Sequence, residues 1–341
     1  MTSDPSRPDP TRTDPGGPAE QSLSERFASA RLEWAPDPRV RLCELRIEGG
    51  ALAGVAHEGL EPEIYRFAAG HNLPVRVTFL APGRQRVLAE QVFLRARPEA
   101  GAEVVSEARY GEALEVYERQ GDFYRVATLR DGYLGWAPMT ALVHRLGEAS
   151  HRYAALRGHL YAGASVRSSP LAQLALGTGL QVMSDLAQGG SWREVAFGKG
   201  GRGFVPAQAL EPLGAPRPQP SGAALCAFAE RFLETPYLWG GVSAWGLDCT
   251  GLLRTVLSGL GLSLPRAADQ QGACVRSVAP EEARPGDLLI FPGHIALSLG
   301  GERFIHANAR HMRVSVDDFA SEYGQSLRQN LRDLRRLEAL E

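Results

Sequence analysis

The chain has 341 residues, 44% hydrophobic and 22% charged, which is ordinary for a soluble globular protein with two or more domains. Its formal net charge of -2 gives no electrostatic basis for binding nucleic acid or an anionic membrane, and neither is expected as a partner. The sequence also contains no uninterrupted apolar run long enough to span a bilayer.

The first stretch, residues 1–21, is rich in proline, aspartate, threonine and glycine. Such a composition cannot bury enough apolar surface to fold, so we predict a disordered tail. No apolar segment of the kind found in signal peptides is present. The expected location is therefore cytoplasmic, and secretion through a non-standard route or a different start codon is the alternative.

Residues 22–98 are predicted to form a small α+β domain. Residues 40–47 alternate apolar and polar side chains, as a half-buried strand does. The following pattern predicts a turn and three elements: the turn Gly49-Gly50, a strand at 51–55, a helix at 62–69 and a strand at 73–80. No feature of this domain indicates a chemical activity, and we expect a packing or scaffold role.

An internal repeat follows in the middle of the chain. Gly121–Ala127 is echoed by Gly190–Ala196, and Gly135–Pro138 by Gly203–Pro206. Each copy consists of short predicted strands with turn glycines, which favours two small all-β SH3-like barrels at 101–146 and 151–213. The proline-rich stretch 214–220 is a stiff linker to the last domain.

Cys249 is the candidate nucleophile. The four apolar residues after it recur at helical spacing: Leu252, Leu253, Val256 and Leu260. Cys249 is therefore predicted to lie at a helix N-terminus, where free N–H groups and the helix dipole lower a thiol pKa. The preceding Asp248 suits the N-cap position of that helix.

The remaining cysteines give no sign of a metal site. Cys43, Cys226 and Cys274 form no Cys-x-x-Cys pair with each other or with Cys249. We interpret all four as reduced thiols, one catalytic and three structural. No metal ion or organic cofactor is expected.

Two histidines on neighbouring predicted strands are the candidate bases. The apolar run 288–291 precedes the turn Pro292-Gly293, which places His294 at the first position of a second strand. His306 lies on a third strand at 303–307. With Cys249 they can form a relay in which His294 accepts the thiol proton and His306 orients the imidazole of His294.

The last stretch, residues 327–340, has leucines at helical intervals among arginines and glutamates. This pattern predicts an amphipathic surface helix at the end of the chain.

Five motifs in order resemble the NlpC family of bacterial cell-wall cysteine peptidases: Tyr237–Gly241, Asp248–Gly251, Leu264–Arg266 with Gln270-Gln271, Arg284–Leu288 and Gly293–Ile295. The resemblance covers residues 221–341 and implies an α+β papain-like catalytic domain. It implies Cys249 as nucleophile, His294 as base and His306 as third polar residue. It also implies that Tyr237 helps to stabilise the oxyanion.

The chain departs from the family pattern at two places. Thr250 follows the cysteine where the family usually has serine, which keeps a hydroxyl available for substrate binding. Ala267 and Ala268 follow Arg266, where several members have a polar residue. One substrate contact is therefore expected to be missing or displaced.

Similar enzymes with two SH3-like domains are γ-D-glutamyl-L-diamino acid endopeptidases, in which the first barrel narrows the active site. By that resemblance two residues project toward Asp248: Tyr133, and Glu107 in the loop before Tyr110. The carboxylates of Asp248 and Glu107 and the phenol of Tyr133 would bind the ammonium group of an N-terminal L-alanine there. A solvated loop glutamate and a surface tyrosine are the alternatives.

The resulting hypothesis is a cysteine peptidase that cleaves the bond between γ-D-glutamate and an L-diamino acid in released murein tripeptides and tetrapeptides. A soluble enzyme of this kind would recycle cell-wall peptides. The alternatives are a secreted hydrolase that remodels intact murein with its barrels as anchors, and a non-catalytic wall-binding protein.

Overall fold

The computed structural model describes residues 21–88, 91–144, 146–184, 190–273 and 275–337. The chain divides into two compact units, residues 1–38 with 42–79 and residues 39–41 with 80–341. All of the predicted tail except Gln21 lies outside the described residues, as does Cys274. None of the described helices has the length and hydropathy needed to cross a membrane.

The first unit combines two helices with a three-stranded sheet in the order β1-β2-β3. Its elements are α1 (Leu23–Trp34), β1 (Cys43–Glu48), β2 (Ala51–His57), α2 (Glu61–Gly70) and β3 (Val75–Leu80), with a short 3-10 helix at Glu58–Leu60. The predicted strands and the α2 helix are confirmed. The sequence analysis did not predict helix α1. Ser22 and Glu25 form a capping box at its start, and this signal is visible in the sequence.

The second unit begins with a seven-stranded sheet in the order β10-β4-β7-β8-β9-β5-β6. The strands are β4 (Gly83–Val87), β5 (Gln91–Arg95), β6 (Val104–Arg109), β7 (Ala113–Gln120), β8 (Phe123–Thr128), β9 (Leu134–Pro138) and β10 (Leu142–Val143), with a 3-10 helix at Met139–Ala141. The predicted boundary at residue 98 is therefore wrong. Strands β4 and β5 belong to this first barrel because Val87, Val92 and Leu94 complete its apolar core.

A second small β-structure follows, made of two sheets in the orders β14-β11-β18 and β13-β12-β17-β16-β15. Its strands are β11 (His151–Tyr153), β12 (Arg157–Tyr161), β13 (Pro170–Ala175), β14 (Gly179–Leu180), β15 (Val182–Ser184), β16 (Trp192–Phe197), β17 (Gly201–Pro206) and β18 (Leu210–Pro212), with a 3-10 helix at Ala207–Ala209. The repeated sequences form equivalent hairpins in the two copies. Phe123 pairs with Pro138 in one hairpin, and Trp192 with Pro206 in the other.

The last part packs helices against a six-stranded sheet in the order β21-β26-β22-β23-β24-β25. Its elements are α3 (Gly222–Glu230), β19 (Val242–Ser243), β20 (Gly246–Leu247), α4 (Cys249–Gly259), α5 (Ala268–Ala273), β21 (Arg276–Ser277), β22 (Leu288–Phe291), β23 (His294–Gly300), β24 (Arg303–Asn308), β25 (Arg313–Asp318), α6 (Glu322–Gln329) and β26 (Asp333–Arg336), with a 3-10 helix at Pro280–Glu282. Helix α4 presents Leu252 and Val256 to Ile295 and Ile305 of the sheet. This apolar contact holds the start of α4 beside the start of β23.

The predicted C-terminal helix at 327–340 is wrong in most of its length. Helix α6 ends at Gln329, and β26 continues the chain between β21 and β22. Arg336 explains the difference, because its guanidinium donates to both oxygens of the buried Asp287 at 2.7 and 2.8 Å. A long surface helix would leave that carboxylate without its cation, at a high cost in free energy.

Candidate active site

Cys249 is the first residue of helix α4, as the sequence predicts. Asp248 is the N-cap, and its Oδ1 accepts the backbone N–H of Gly251 at 2.7 Å. The residue Cys249 is only 7% exposed, at the edge of the apolar core that α4 shares with the sheet. The helix N-terminus therefore fixes the thiol in position rather than presenting it to bulk water.

The expected lowering of the thiol pKa is wrong. Burial and the neighbouring Asp248 carboxylate raise the pKa of Cys249 to about 11, although the backbone N–H groups of Ile295 and Thr250 act in the opposite direction. Desolvation penalises a thiolate more than the helix end stabilises it. The thiol therefore keeps its proton at neutral pH until a base removes it.

His294 and His306 form the predicted relay, and the structure adds Asp317 to it. His294 Nε2 lies 2.7 Å from His306 Nδ1, and His306 Nε2 lies 2.8 Å from Asp317 Oδ2. Because the carboxylate can only accept, His306 carries its proton on Nε2 and accepts at Nδ1 from His294. This leaves Nδ1 of His294 unprotonated, as a general base requires.

The pKa values of the two end members fit these roles. Burial, with the electrostatic effect of the neighbouring His306 as a second cause, lowers the pKa of His294 to about 4. Burial would raise the pKa of Asp317, but hydrogen bonds from His306 and Ser315 lower it to about 2. At neutral pH the carboxylate is charged and His294 is neutral, so His294 can accept the thiol proton.

Asp317 is the functional residue that the sequence reasoning did not find. It lies on β25, which pairs with β24 so that His306 faces Ser315. The signal was the alternation of Val314 and Val316 with polar residues up to Asp317, which is typical of a strand with one polar face.

The Asp248 carboxylate is occupied by protein partners. Its oxygens accept from Gly240 N at 2.9 Å, from the Thr250 hydroxyl at 2.8 Å and from both terminal nitrogens of Arg266, one of them at 3.1 Å. Asp248, Thr250 and Arg266 are 5%, 5% and 4% exposed. A carboxylate has about four acceptor positions. Asp248 and Thr250, both predicted to bind substrate, therefore serve first to cap α4 and to hold Arg266.

Tyr237 lies close enough to Cys249 for the charge of the cysteine to affect the pKa of its hydroxyl. Burial, then the charges of Cys249 and Asp248, raise the pKa of the Tyr237 hydroxyl to about 12. The phenol is therefore a hydrogen-bond donor throughout the neutral range. This state suits the oxyanion-stabilising role predicted for it.

A cavity of about 250 Å³ lies over Cys249, and we call it the active-site cavity. Its walls come from the peptidase-like part, from the first barrel and from Arg39. Tyr133, predicted to face the site, lines it together with Glu103 and Val105 of the barrel. Ala267 and Ala268 also line it, so their small side chains leave room where a longer polar residue would intrude.

Glu107 does not lie where the sequence reasoning placed it. It belongs to strand β6 rather than to a loop, is 1% exposed, and its Oε2 accepts the backbone N–H of Val242 at 3.0 Å. It is not among the residues that line the active-site cavity. The acid that the first barrel contributes there is Glu103, which is exposed and accepts from the indole Nε1 of Trp239 at 2.9 Å.

Comparison with known protein families decides the class of this site. Residues 234–332 match the NlpC/P60 family, and residues 94–142 match the bacterial dipeptidyl-peptidase Sh3 domain. The chain contains an NlpC/P60 cysteine peptidase domain. Cys249, His294 and His306 all lie within the first matched segment.

Relatives of the NlpC/P60 domain are found among bacterial peptidases. Dipeptidyl-peptidase 6 of Lysinibacillus sphaericus is 28% identical over 250 residues, which are 70% of this chain and 92% of that protein. A γ-D-glutamyl-L-lysine dipeptidyl-peptidase of Bacillus subtilis is 36% identical over 84 residues, 22% of this chain and 28% of that protein. An NlpC/P60 family protein from Bacillus cereus has the same fold, with a TM-score of 0.65 at 18% identity over 74% of this chain and 99% of that one.

This arrangement can support peptidase chemistry with the chain's own residues. If the Cys249 sulfur attacks a carbonyl carbon, Nδ1 of His294 can accept the thiol proton, and Asp317 can stabilise the imidazolium through His306. His294 can then give that proton to the leaving amine, which departs and leaves a thioester. Water can hydrolyse the thioester with His294 as base again, which restores the free thiol.

Proposed function

We propose that this NlpC/P60 enzyme hydrolyses the γ-D-glutamyl–L-diamino acid bond of murein peptides whose N-terminal L-alanine has a free amine. The observation that carries the proposal is the wall which the first barrel adds to the active-site cavity through Glu103, Val105 and Tyr133. This wall limits how much of a substrate can extend beyond the scissile carbonyl.

The size of the active-site cavity favours a short peptide end. Its volume of about 250 Å³ is below the roughly 300–1,000 Å³ of common ligand pockets. Strand β6 closes this side tightly, because a Cβ on Gly240 would lie 2.6 Å from Val104 Cγ1. A peptide that still carries a muramyl group would have to displace this contact.

The charges around the cavity favour an ammonium group at Glu103. Of the three acids that line it, Asp248 is paired with Arg266, and Asp269 with Arg39 at 2.7 Å. Glu103 has a neutral donor, the Trp239 indole, as its hydrogen-bond partner. An ammonium group can therefore add a charge-assisted bond to Glu103 without breaking an ion pair, beside the phenol of Tyr133.

The names of the relatives support the same bond and the same substrate end. One is called a dipeptidyl-peptidase and another a γ-D-glutamyl-L-lysine dipeptidyl-peptidase. An enzyme that requires a free amine acts after other hydrolases have released the peptide, which fits recycling of wall peptides in the cytoplasm. A secreted enzyme that acts on intact murein is the second candidate, because other relatives are named peptidoglycan endopeptidases.

The product test uses L-Ala-γ-D-Glu-diamino acid peptides with a free amine and the same peptides carrying N-acetylmuramyl. Mass spectrometry of the digests is expected to show L-Ala-D-Glu from the free peptides only, and no product with Cys249→Ala. Equal cleavage of both sets would instead assign the enzyme to intact murein. No cleavage of either set would contradict the proposed bond.

A second prediction separates Glu103 from Glu107. Glu103→Gln is expected to raise KM for the free-amine peptide about 10-fold or more with little change in kcat, because a hydrogen bond to a charged group is lost. Glu107→Gln is the matched control, since its amide oxygen still accepts from Val242 and it does not line the cavity. Steady-state kinetics of both variants check this, and an equal rise in KM for the control would contradict it.

A further inference from the structure

A second cavity, of about 400 Å³, lies at the far end of helix α4 and is lined by arginines. We call it the arginine cavity. It shares no lining residue with the active-site cavity, and Glu211 is the one acidic residue among its described lining residues. The cationic lining residues are Arg109, Arg130, Arg152, Arg217, Arg231 and Arg254.

Carboxylates neutralise only part of this positive charge. The closest ion pairs are Arg130–Glu112 at 2.6 Å, Arg152–Glu211 at 2.6 Å and Arg254–Asp131 at 3.1 Å, and longer ones join Arg109 to Glu112 at 3.9 Å and Arg130 to Asp131 at 3.8 Å. Arg217 and Arg231 have no carboxylate partner in the described part of the chain. Arg217 donates to the carbonyl of Ser258, and Arg231 lies 4.8 Å from the ring centre of Phe228.

Several guanidinium nitrogens in the arginine cavity are buried without an acceptor. Arg109 Nε, Arg130 Nε and Arg152 Nη1 find no hydrogen-bond acceptor among the described residues. Their side chains are 19%, 15% and 12% exposed. Arg109 Nε and Arg130 Nε lie 3.9 and 3.8 Å from the carboxylates of Glu112 and Asp131, beyond hydrogen-bond distance, so an acceptor supplied from outside the chain could satisfy these nitrogens.

The crowding of like charges in the arginine cavity is costly. Burial, with the charge of Arg130 as the next cause, lowers the pKa of Arg254 to about 9. Arg109 is affected in the same direction, again first by burial. An anion among these groups would replace lost hydration and offset the repulsion between guanidinium groups.

We propose that the arginine cavity binds a small organic anion that carries two or more negative charges on phosphate or carboxylate groups. The planar guanidinium fork matches both groups in bidentate geometry. The volume lies within the common range for ligand pockets. Leu176 and Phe228 line the same cavity and provide apolar contact for the carbon skeleton of the ligand.

This anion site is distinct from the proposed catalytic function but is built on the same elements. Ser258 is nine residues after Cys249 on α4, which corresponds to about 14 Å along the helix. Arg109 ends strand β6, whose beginning carries the active-site residue Val105. A bound anion would therefore connect the linker, helix α4 and the first barrel, and we expect it to stabilise their packing.

Calorimetric titration of the full chain with pyrophosphate and with citrate, at constant ionic strength, tests the proposal. Saturable binding at one site and a rise in Tm with at least one of them are expected. Pyrophosphate alone would indicate a phosphate-bearing ligand and citrate alone a polycarboxylate. Absence of saturable binding with both would overturn the proposal.

The variant Arg217→Gln/Arg231→Gln removes the two cations that have no carboxylate partner, so folding and peptide cleavage should be retained. It is expected to weaken binding about 10-fold or more. Arg97→Gln/Arg202→Gln is the matched control, with the same change of net charge at exposed arginines outside the cavity. Equal weakening in both variants would show general charge attraction and contradict a site, as would unchanged affinity in the first.

Discussion

Replacement of Arg266 by methionine is expected to lower the free energy of unfolding by about 3–5 kcal/mol, because it leaves a buried carboxylate without its cation. Arg266 donates to both oxygens of Asp248 and to the Thr250 hydroxyl, and all three residues are buried. Cleavage should fall as well, since Asp248 caps the helix that begins with Cys249. Denaturant unfolding and kcat measured on the same preparation check both effects.

Two further variants distinguish the effect of losing this ion pair from the effect of losing an arginine in general. Arg313→Met removes a pair with Glu234 in which both side chains are largely exposed, and should cost under about 1 kcal/mol. Asp248→Asn/Arg266→Met removes both charges and should recover part of the stability lost in Arg266→Met. If Arg266→Met lost no more unfolding free energy than Arg313→Met, the predicted contribution of the Asp248–Arg266 pair would be contradicted.

The second large effect is expected at Asp317. Asp317→Ala should lower kcat about 100-fold or more, because nothing then fixes the proton of His306 on Nε2. His306 would spend much of its time in the other tautomer, with its proton on Nδ1. His294 would then accept at Nε2 and carry its own proton on Nδ1, so that its unprotonated nitrogen faces His306 and not the thiol. Since Asp317 does not line the active-site cavity, KM should change little.

His311→Ala is the control for Asp317, because His311 Nε2 also contacts this carboxylate, at 3.2 Å, but is not part of the chain to His294. It should leave kcat nearly unchanged. The pH profile gives an independent readout: in the native enzyme the acid limb of kcat/KM should lie near pH 4, where His294 gains its proton. If both variants lost kcat and stability together, and if KM changed along with kcat, Asp317 would have a structural role only.

The first barrel contributes residues to both the arginine cavity and the active-site cavity. Val105 lines one cavity and Arg109 the other, and both belong to strand β6. Strand β6 also bonds to the segment just before α4, through Glu107 and Val242. The barrel that the internal repeat revealed is therefore part of the active site and not only an appended module.

The placement of the three main site residues could be predicted from the sequence. Cys249 at a helix start, His294 at the first position of a strand and His306 on the next strand follow from apolar spacing, turn residues and strand length, which are properties of short segments. For the same reason the sheet elements of the first unit were predictable. Local patterns gave the wrong element near the C-terminus, where Arg336 lies in a strand and binds the buried Asp287.

Quantities that depend on contacts between distant segments follow only from the folded chain. Burial raises the pKa of Cys249, strand pairing brings Asp317 to His306, and the packing of the first barrel places Glu103 rather than Glu107 at the active-site cavity. The six arginines of the second cavity come from six separate segments of the chain and meet only on folding. Desolvation and charge proximity are properties of the assembled fold, and spacing along the chain does not encode them directly.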